Sequence, residues 1–301
     1  MCRMMKARYL AALYRQPWPK SPVLAPRLDP AIPIEEEKTP NYDAGRFSPA
    51  HLGQILNGRY QIATKLSYGA NSTVWLARDL NRWRWLEDKY VAVKVNASSL
   101  ASRRVPPKNK VSIMNHISRV NPNHKGRHFV KKLSDSFLIN ETSGSHVCLV
   151  LEALREPLWL YRRRYINNVI PPDILKILVQ MILHALDYLH TECHIIHTDL
   201  KPDNIMVKIE DPAIFDRDAK DEFDNPLPQK HLLSKGQRTS MFYQKNGDLK
   251  DPSRIPANFT LKWSINCMSG EEKTRFIHFV KRMLTWRPEE RSTAKELLDD
   301  P

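Results

Sequence analysis

The sequence predicts an α+β protein in which a small β-rich lobe is followed by a helical lobe. Three observations carry this. Residues 60–95 hold three short runs with alternating or β-branched texture. Residues 174–189 are apolar almost all round and too long for a strand. Residues 1–57 show neither pattern.

Residues 1–57 are Pro-rich and basic, without apolar periodicity, and are expected to be a disordered extension that packs little against the rest. The β-rich lobe is expected over 58–154. Tyr60–Leu66 alternates as a strand does, and Ser72–Ala77 is its partner across a tight turn. Tyr90–Val95 is a third strand, and a helix is expected from about Lys110 to Val120. Strands over Phe129–Phe137 and Val147–Glu152 complete the sheet.

The helical lobe is expected over 155–301. Pro171-Pro172-Asp173 opens its first long helix, with proline and an acid at the positive end of the dipole. The run Ile174–Leu189 then reads as a helix buried in a domain core. Residues 208–232 carry Glu210, Asp211, Asp216, Asp218, Asp221, Glu222 and Asp224 between prolines, and read as an acidic insert or loop. Helices over Glu271–Leu284 and Thr293–Leu298 close the chain.

Composition narrows the class. No apolar run reaches the roughly 18 residues that suggest a membrane span. Cys2, Cys148, Cys193 and Cys267 lie far apart, which argues against a zinc site and a disulfide framework. That suits a reducing, cytoplasmic or nuclear compartment. The alternative is mitochondrial: the stretch 1–28 carries six Lys or Arg and no acid, like a transit peptide. Net charge is +14, which suggests acidic partners, although no aromatic-interleaved nucleic-acid motif stands out.

The chemistry is concentrated in His197-Thr198-Asp199-Leu200-Lys201-Pro202-Asp203-Asn204. It matches the pattern H-x-D-L-K-x-x-N and resembles the catalytic loop of protein kinases. Val91-Ala92-Val93-Lys94 stands well upstream, behind the loop Ser67-Tyr68-Gly69-Ala70-Asn71-Ser72-Thr73-Val74. With Ser72–Ala77, the His197-Thr198-Asp199 triplet and the tail Met283-Leu284 … Arg287-Pro288-Glu289-Glu290-Arg291-Ser292-Thr293-Ala294, the chain from Arg59 onward resembles the SR-protein kinases, especially fungal ones.

The resemblance implies a bilobal protein-kinase fold, ATP and Mg²⁺ as cofactors, and transfer to Ser/Thr of a protein substrate, often an Arg/Ser-rich splicing factor. Asp199 would orient the acceptor hydroxyl and take its proton. Lys201 would neutralise the transferred phosphoryl group, and Asn204 would hold a Mg²⁺. ATP would lie against Leu66, Gly69, Val74 and Ala92. Lys94 would meet its α- and β-phosphates, and the backbones of Glu152 and Leu154 would receive adenine.

Several parts of the pattern are missing. Two of the loop's three expected glycines are Ser67 and Ser72. After Asn204, the residues two before each glycine are Ser234, Lys245 and Met268, so no Asp-x-Gly supplies the second Mg²⁺ ligand. Asp211 is the replacement to consider. No Ala-Pro-Glu occurs, so Arg291 lacks the glutamate it would pair with in the family. No acid lies between Asp88 and Asp135, and Lys110 stands where the family pairs a Glu with Lys94. The acidic insert runs into Leu232–Arg238, which resembles a later helix of the family, with the join near His231-Leu232. The helical lobe should therefore lack central support and expose apolar surface. Three readings stay open: an active kinase, a pseudokinase that acts as a binding module, and a deletion isoform or incomplete gene product of an active parent.

Overall fold

The computed structural model describes residues 13–29, 32, 34, 36–38, 42–98, 107–141, 144–230, 233–234, 265, 268–284 and 290–300. The His231-Leu232 join, Gly236, Lys245, Gly247, Cys2, Cys267 and the segments 1–12 and 285–289 lie outside them. The chain divides into two compact units. The first comprises residues 1–112, 133–153 and 209–250, and the second 113–132, 154–208 and 251–301.

The first unit is built on an antiparallel six-stranded sheet of β1 (Ile55–Leu56), β2 (Tyr60–Gly69), β3 (Ser72–Asp79), β4 (Tyr90–Asn96), β5 (Leu133–Glu141) and β6 (Gly144–Glu152), in the order β1-β2-β3-β4-β6-β5. Alternation sets its two faces. Val91, Val93 and Val95 enter one core with Tyr60, Ile62, Trp75, Ala77, Cys148 and Val150. Ala92 and Lys94 point the other way, opposite Leu76 and Val74 on β3. The strand expected over Phe129–Phe137 starts later. Residues Lys125–Phe129 form a 3-10 turn instead, with His124 Nδ1 accepting from the Gly126 N–H at 3.1 Å.

Two segments that read as loose in the sequence are ordered on this sheet. Residues 213–224 form helix α4 (Ala213–Asp224), where the sequence suggests a loop. Phe215 and Ala219 pack on Ala63, Leu76 and Ala153. The Tyr90 hydroxyl donates to Asp216 at 3.0 Å, and Thr64 donates to Glu222 at 3.2 Å. Asp218, Asp221 and Asp224 lie on the exposed side of an amphipathic helix, and the density of acids hides its apolar stripe at 215, 219 and 223. This segment groups with the sheet rather than with the helices that flank it in sequence.

The described part of the extension, from residue 13 on, is the second. Trp18 exchanges two backbone hydrogen bonds with the Gln61 amide, at 2.8 and 2.9 Å, and its ring meets Arg78 and Phe223. Ile34, Phe47 and Ala50 are buried. Glu36 forms a buried ion pair with Lys65, the two side chains being 1% and 5% exposed. Irregularly spaced anchors of this kind leave no periodic signature, which is why composition points to disorder.

The second unit centres on α3 (Pro172–Asp187), which continues into a π-helical turn, Tyr188–Glu192. Tyr188 is fully buried beside Ile117 of α1 (Pro107–Arg119). Its hydroxyl lies 2.7 Å from the Ile117 and Val120 carbonyls, which share its single proton. Gly126 backs onto the end of α3, where a Cβ would lie 1.8 Å from the His184 carbonyl oxygen. A short helix α2 (Leu158–Tyr161) precedes α3. Helices α5 (Gly270–Met283) and α6 (Ala294–Leu298) pack on α3 through Phe279, Met283, Ala294 and Leu297 against Val179, Leu183 and Leu186. α6 opens with a full Thr293–Glu296 capping box.

Glu36→Ala strands the Lys65 ammonium in a buried site, where burial already lowers its pKa against the pull of Glu36. The expected loss is about 3–5 kcal/mol, read by urea denaturation. A loss below about 1 kcal/mol, typical of an exposed pair, would mean that the extension does not depend on this ion pair.

Burial also raises the Glu222 carboxyl pKa, against the Leu227 N–H and Thr64 hydroxyl it accepts from. For an acid whose folded pKa is raised, the folded state holds the proton more tightly. Stability therefore falls as pH rises from the ordinary value near about 4.3 through the raised one, and stays low above it. Glu222→Gln should raise the denaturation midpoint at pH 7 and flatten its pH dependence. A variant no more stable than the parent at pH 7 would refute this.

Candidate active site

The candidate site residues divide between the two units. On the first, the sheet face carrying Ala92 and Lys94 is set by register: Val74 stands opposite Lys94, and Leu76 opposite Ala92. On its other side Lys94 pairs with Leu149 of β6. α4 covers Leu76, while Val74 and Lys94 farther along the face stay half-exposed.

β2 reaches this face through two bulges, between Ile62 and Thr64 and between Lys65 and Ser67. Leu66 is the unpaired residue of the second bulge and is 38% exposed. The loop after it is a tight hairpin in which Gly69 faces Ser72 across Ala70-Asn71. A Cβ added at Gly69 would make ordinary contact, with the Ser72 carbonyl oxygen at 3.9 Å. Glu152 ends β6 opposite Val91, and Leu154 opens the second unit two positions on.

Lys110 lies on α1, which carries no carboxylate. Its ammonium donates to the side-chain oxygen of Asn96 at 2.9 Å, and Asn96 stands two positions beyond Lys94 on the same strand face. Burial lowers the Lys110 pKa. Where the family places an acid, this chain thus places a partly desolvated cation on a neutral amide.

On the second unit, the loop after the π turn is shaped by its own backbone. Thr198 has φ 55°, a left-handed value that is strained for a β-branched residue. The Asp199 N–H donates back across it to the His197 carbonyl at 2.7 Å. Asp199, Lys201 and Asn204 converge: the Lys201 ammonium lies 3.2 Å from one Asp199 carboxylate oxygen, and the Asn204 amide donates to the other at 2.9 Å. The same amide also donates to the Asp199 carbonyl at 2.8 Å. The Lys201 hydrogen bond, then that of Asn204, hold the Asp199 carboxyl below the ordinary carboxylate range. The strand-like residues after the loop pair with those after Leu154, through Leu158 N–H to Ile205 and Val207 N–H to Glu156, at 2.8 and 2.9 Å.

The donor set tests the two cofactors differently. On the sheet half, apolar Leu66 and Val74, Gly69 and the Lys94 cation suit an adenine nucleotide, whereas Ala92 is buried opposite Leu76. The loop half does not fit the paired Mg²⁺ ions of a kinase. Such ions take hard oxygen ligands in which carboxylates predominate. Asp199, the carboxylate beside Asn204, is engaged by a cation and an amide. Asp211, the replacement considered from the sequence, instead lies in the turn before α4, accepting from the Ala213 N–H at 3.0 Å beside Arg217.

A profile of the protein kinase domain matches residues 60–225. The chain belongs to the protein kinase family. A serine/threonine protein kinase of Aspergillus fumigatus is similar to this kinase, at 30% identity over 383 residues, covering 94% of each chain. SRSF protein kinase 3 of Homo sapiens is 36% identical over 182 residues, 60% of this kinase and 31% of its own length. Protein kinase dsk1 of Schizosaccharomyces pombe is 35% identical over 184 residues, 61% and 33% respectively. The relatives match the SR-protein-kinase likeness of the sequence, and the helix and strand content fits the expected α+β kinase fold. No described helix is long and apolar enough to cross a membrane.

Lys201→Met removes the larger of the two influences on Asp199. The Asp199 carboxyl should then titrate higher, toward the ordinary value, in a carbon-13 NMR titration. An unmoved midpoint would mean that Lys201 does not hold the carboxylate.

Proposed function

We propose that this kinase is a serine/threonine protein kinase of the SR-protein-kinase type that retains the nucleotide-binding half of the site and lacks phosphoryl-transfer activity in this form. The observation that carries the reading is the alignment with the Aspergillus fumigatus kinase. It spans 383 residues, yet this whole chain has 301 residues, so part of the relative faces gaps in this sequence. The kinase-domain match ends at 225, just before the His231-Leu232 join. A deletion there removes the Asp-x-Gly metal ligand, the activation segment and the helix on which the lobe is built.

Exposure in the second unit supports the same reading. Ile177 and Met181, one turn apart on α3, are 51% and 39% exposed, although the sequence marks α3 as a core helix. Ile196 and Leu200, which flank the His197-Thr198-Asp199 triplet, are 77% and 49% exposed. Apolar side chains in this pattern point to a packing partner that is absent among the described residues. The reading as a deletion product of an active parent is thereby favoured over that of a dedicated binding module. Its parent would transfer phosphate from Mg-ATP to Ser/Thr of a protein, with Arg/Ser-rich proteins the substrate class suggested by the SRSF kinase relatives.

Radiolabelled ATP with an Arg/Ser-repeat peptide tests the reading, beside a general basic substrate. Transfer should not exceed that of Asp199→Asn. Loss of one preorganised charge-stabilising group typically costs about 10²- to 10³-fold, and the missing parts act as a unit. Transfer that disappears in Asp199→Asn would refute the proposal. Sequencing the transcript across His231-Leu232 tests the deletion itself.

A further inference from the structure

The connection between β3 and β4 reads Asn81-Arg82-Trp83-Arg84-Trp85-Leu86-Glu87-Asp88-Lys89. Read linearly it is only a polar loop with two tryptophans. In three dimensions it joins Tyr14 in a continuous aromatic stack. Tyr14 and Trp83 lie 4.9 Å apart with their planes 10° from parallel, and Trp83 and Trp85 lie 5.1 Å apart at 14°. The stack runs outward from the sheet and ends on Trp85, which is 63% exposed.

The rings are held in place rather than collapsed on one another. Residues 13–15 run as a short bridge beside the loop, with the Arg15 N–H donating to Arg82 at 2.8 Å and the Arg84 N–H to Leu13 at 2.9 Å. The Leu86 N–H closes the turn onto Trp83 at 3.0 Å, and the Arg82 guanidinium donates to the Glu87 carbonyl at 3.1 Å. Asp88 anchors the base of the loop between Arg15 and Arg78, each 3.0 Å away. None of the three rings belongs to either core of the sheet. The framework therefore presents a flat indole face to solvent at no benefit to the fold.

Charge selects what such a face would take. Arg84 and Lys89 are exposed beside the rings, with Arg82 partly so. Of the two acids in the loop, Asp88 is neutralised by two arginines, leaving Glu87. A cationic Arg-rich peptide could stack on Trp85 but would meet like charge. A proline-rich peptide could stack but would gain nothing from the arginines. A flat unpaired base on a phosphodiester chain gains from both. The whole chain, at +14, adds a favourable field for such a polyanion.

We propose that the Tyr14–Trp83–Trp85 stack, with Arg84 and Lys89, is a docking platform for single-stranded nucleic acid: an unpaired base continues the stack on the outer face of Trp85, and the basic side chains meet its phosphates. The site is separate from the kinase residues and does not depend on phosphoryl transfer.

Fluorescence anisotropy of the full chain with labelled 12-nucleotide single strands, one RNA and one DNA, tests this at 100 mM salt. A duplex of the same length and inorganic polyphosphate serve as competitors. Single strands should bind in preference to duplex and quench tryptophan emission. Trp85→Ala should weaken binding by roughly 5- to 150-fold, the range for one stacked base, and abolish most of the quench. Arg84→Glu should weaken binding and reduce its salt dependence. Trp85 is exposed, so Trp85→Ala should keep the parent's circular dichroism and melting temperature, which separates lost binding from lost folding. Absence of binding at 0.1 mM protein would overturn the proposal. So would binding indifferent to Trp85→Ala, polyphosphate competing as well as RNA per phosphate, or a proline-rich peptide displacing the strand.

Discussion

The register of β4 between β3 and β6 is the constraint on which the first unit depends. Side chains alternate along a strand, so one placement sends Val91, Val93 and Val95 into the core and Ala92 and Lys94 to the opposite face. A one-residue slip would bury the Lys94 ammonium among Trp75, Cys148 and Val150 and expose three valines. The burial of those valines therefore also aims the lysine. The same alternation sets Val74 and Leu76 beside Lys94 and Ala92, which makes the face a ceiling for a flat ring.

What covers that face distinguishes this chain. α4 lies over Ala63 and Leu76 and is tied by the Tyr90–Asp216 and Thr64–Glu222 hydrogen bonds. Residues 13–57 brace the sheet at Gln61, Lys65 and Arg78. In the second unit the central helix has neighbours on α5, α6 and the Lys125–Phe129 turn, and among the described residues Ile177 and Met181 stay exposed.

The triplet around Asp199 is held by chemistry local to its own loop. Lys201 and Asn204 close on the carboxylate, because both bonds are made within one short loop and need no support from elsewhere. Local hydrogen bonding thus sets the Asp199, Lys201 and Asn204 arrangement by itself.

Much was legible in the sequence because it depends on near neighbours. The strand runs at 60–66, 72–77 and 90–95, the helix after Pro172 and the loop at 197–204 all follow from periodicity, caps and short motifs, and so do the missing Asp-x-Gly and the acid-free α1. Tertiary structure decided the rest. Whether the acid-rich stretch at 213–224 is loop or helix turned on Phe215 and Ala219 finding an apolar surface on β2 and β3, far earlier in the chain. Whether Trp18, Glu36 and Phe47 were anchors turned on partners at Arg78, Lys65 and Tyr42, two of which are also remote in sequence. The Tyr14–Trp83–Trp85 stack joins two distant segments and has no linear signature. Sequence alone determines what is bonded or spaced within a turn or two. Burial and pairing between distant segments depend on how the chain closes on itself, and only the folded structure sets that.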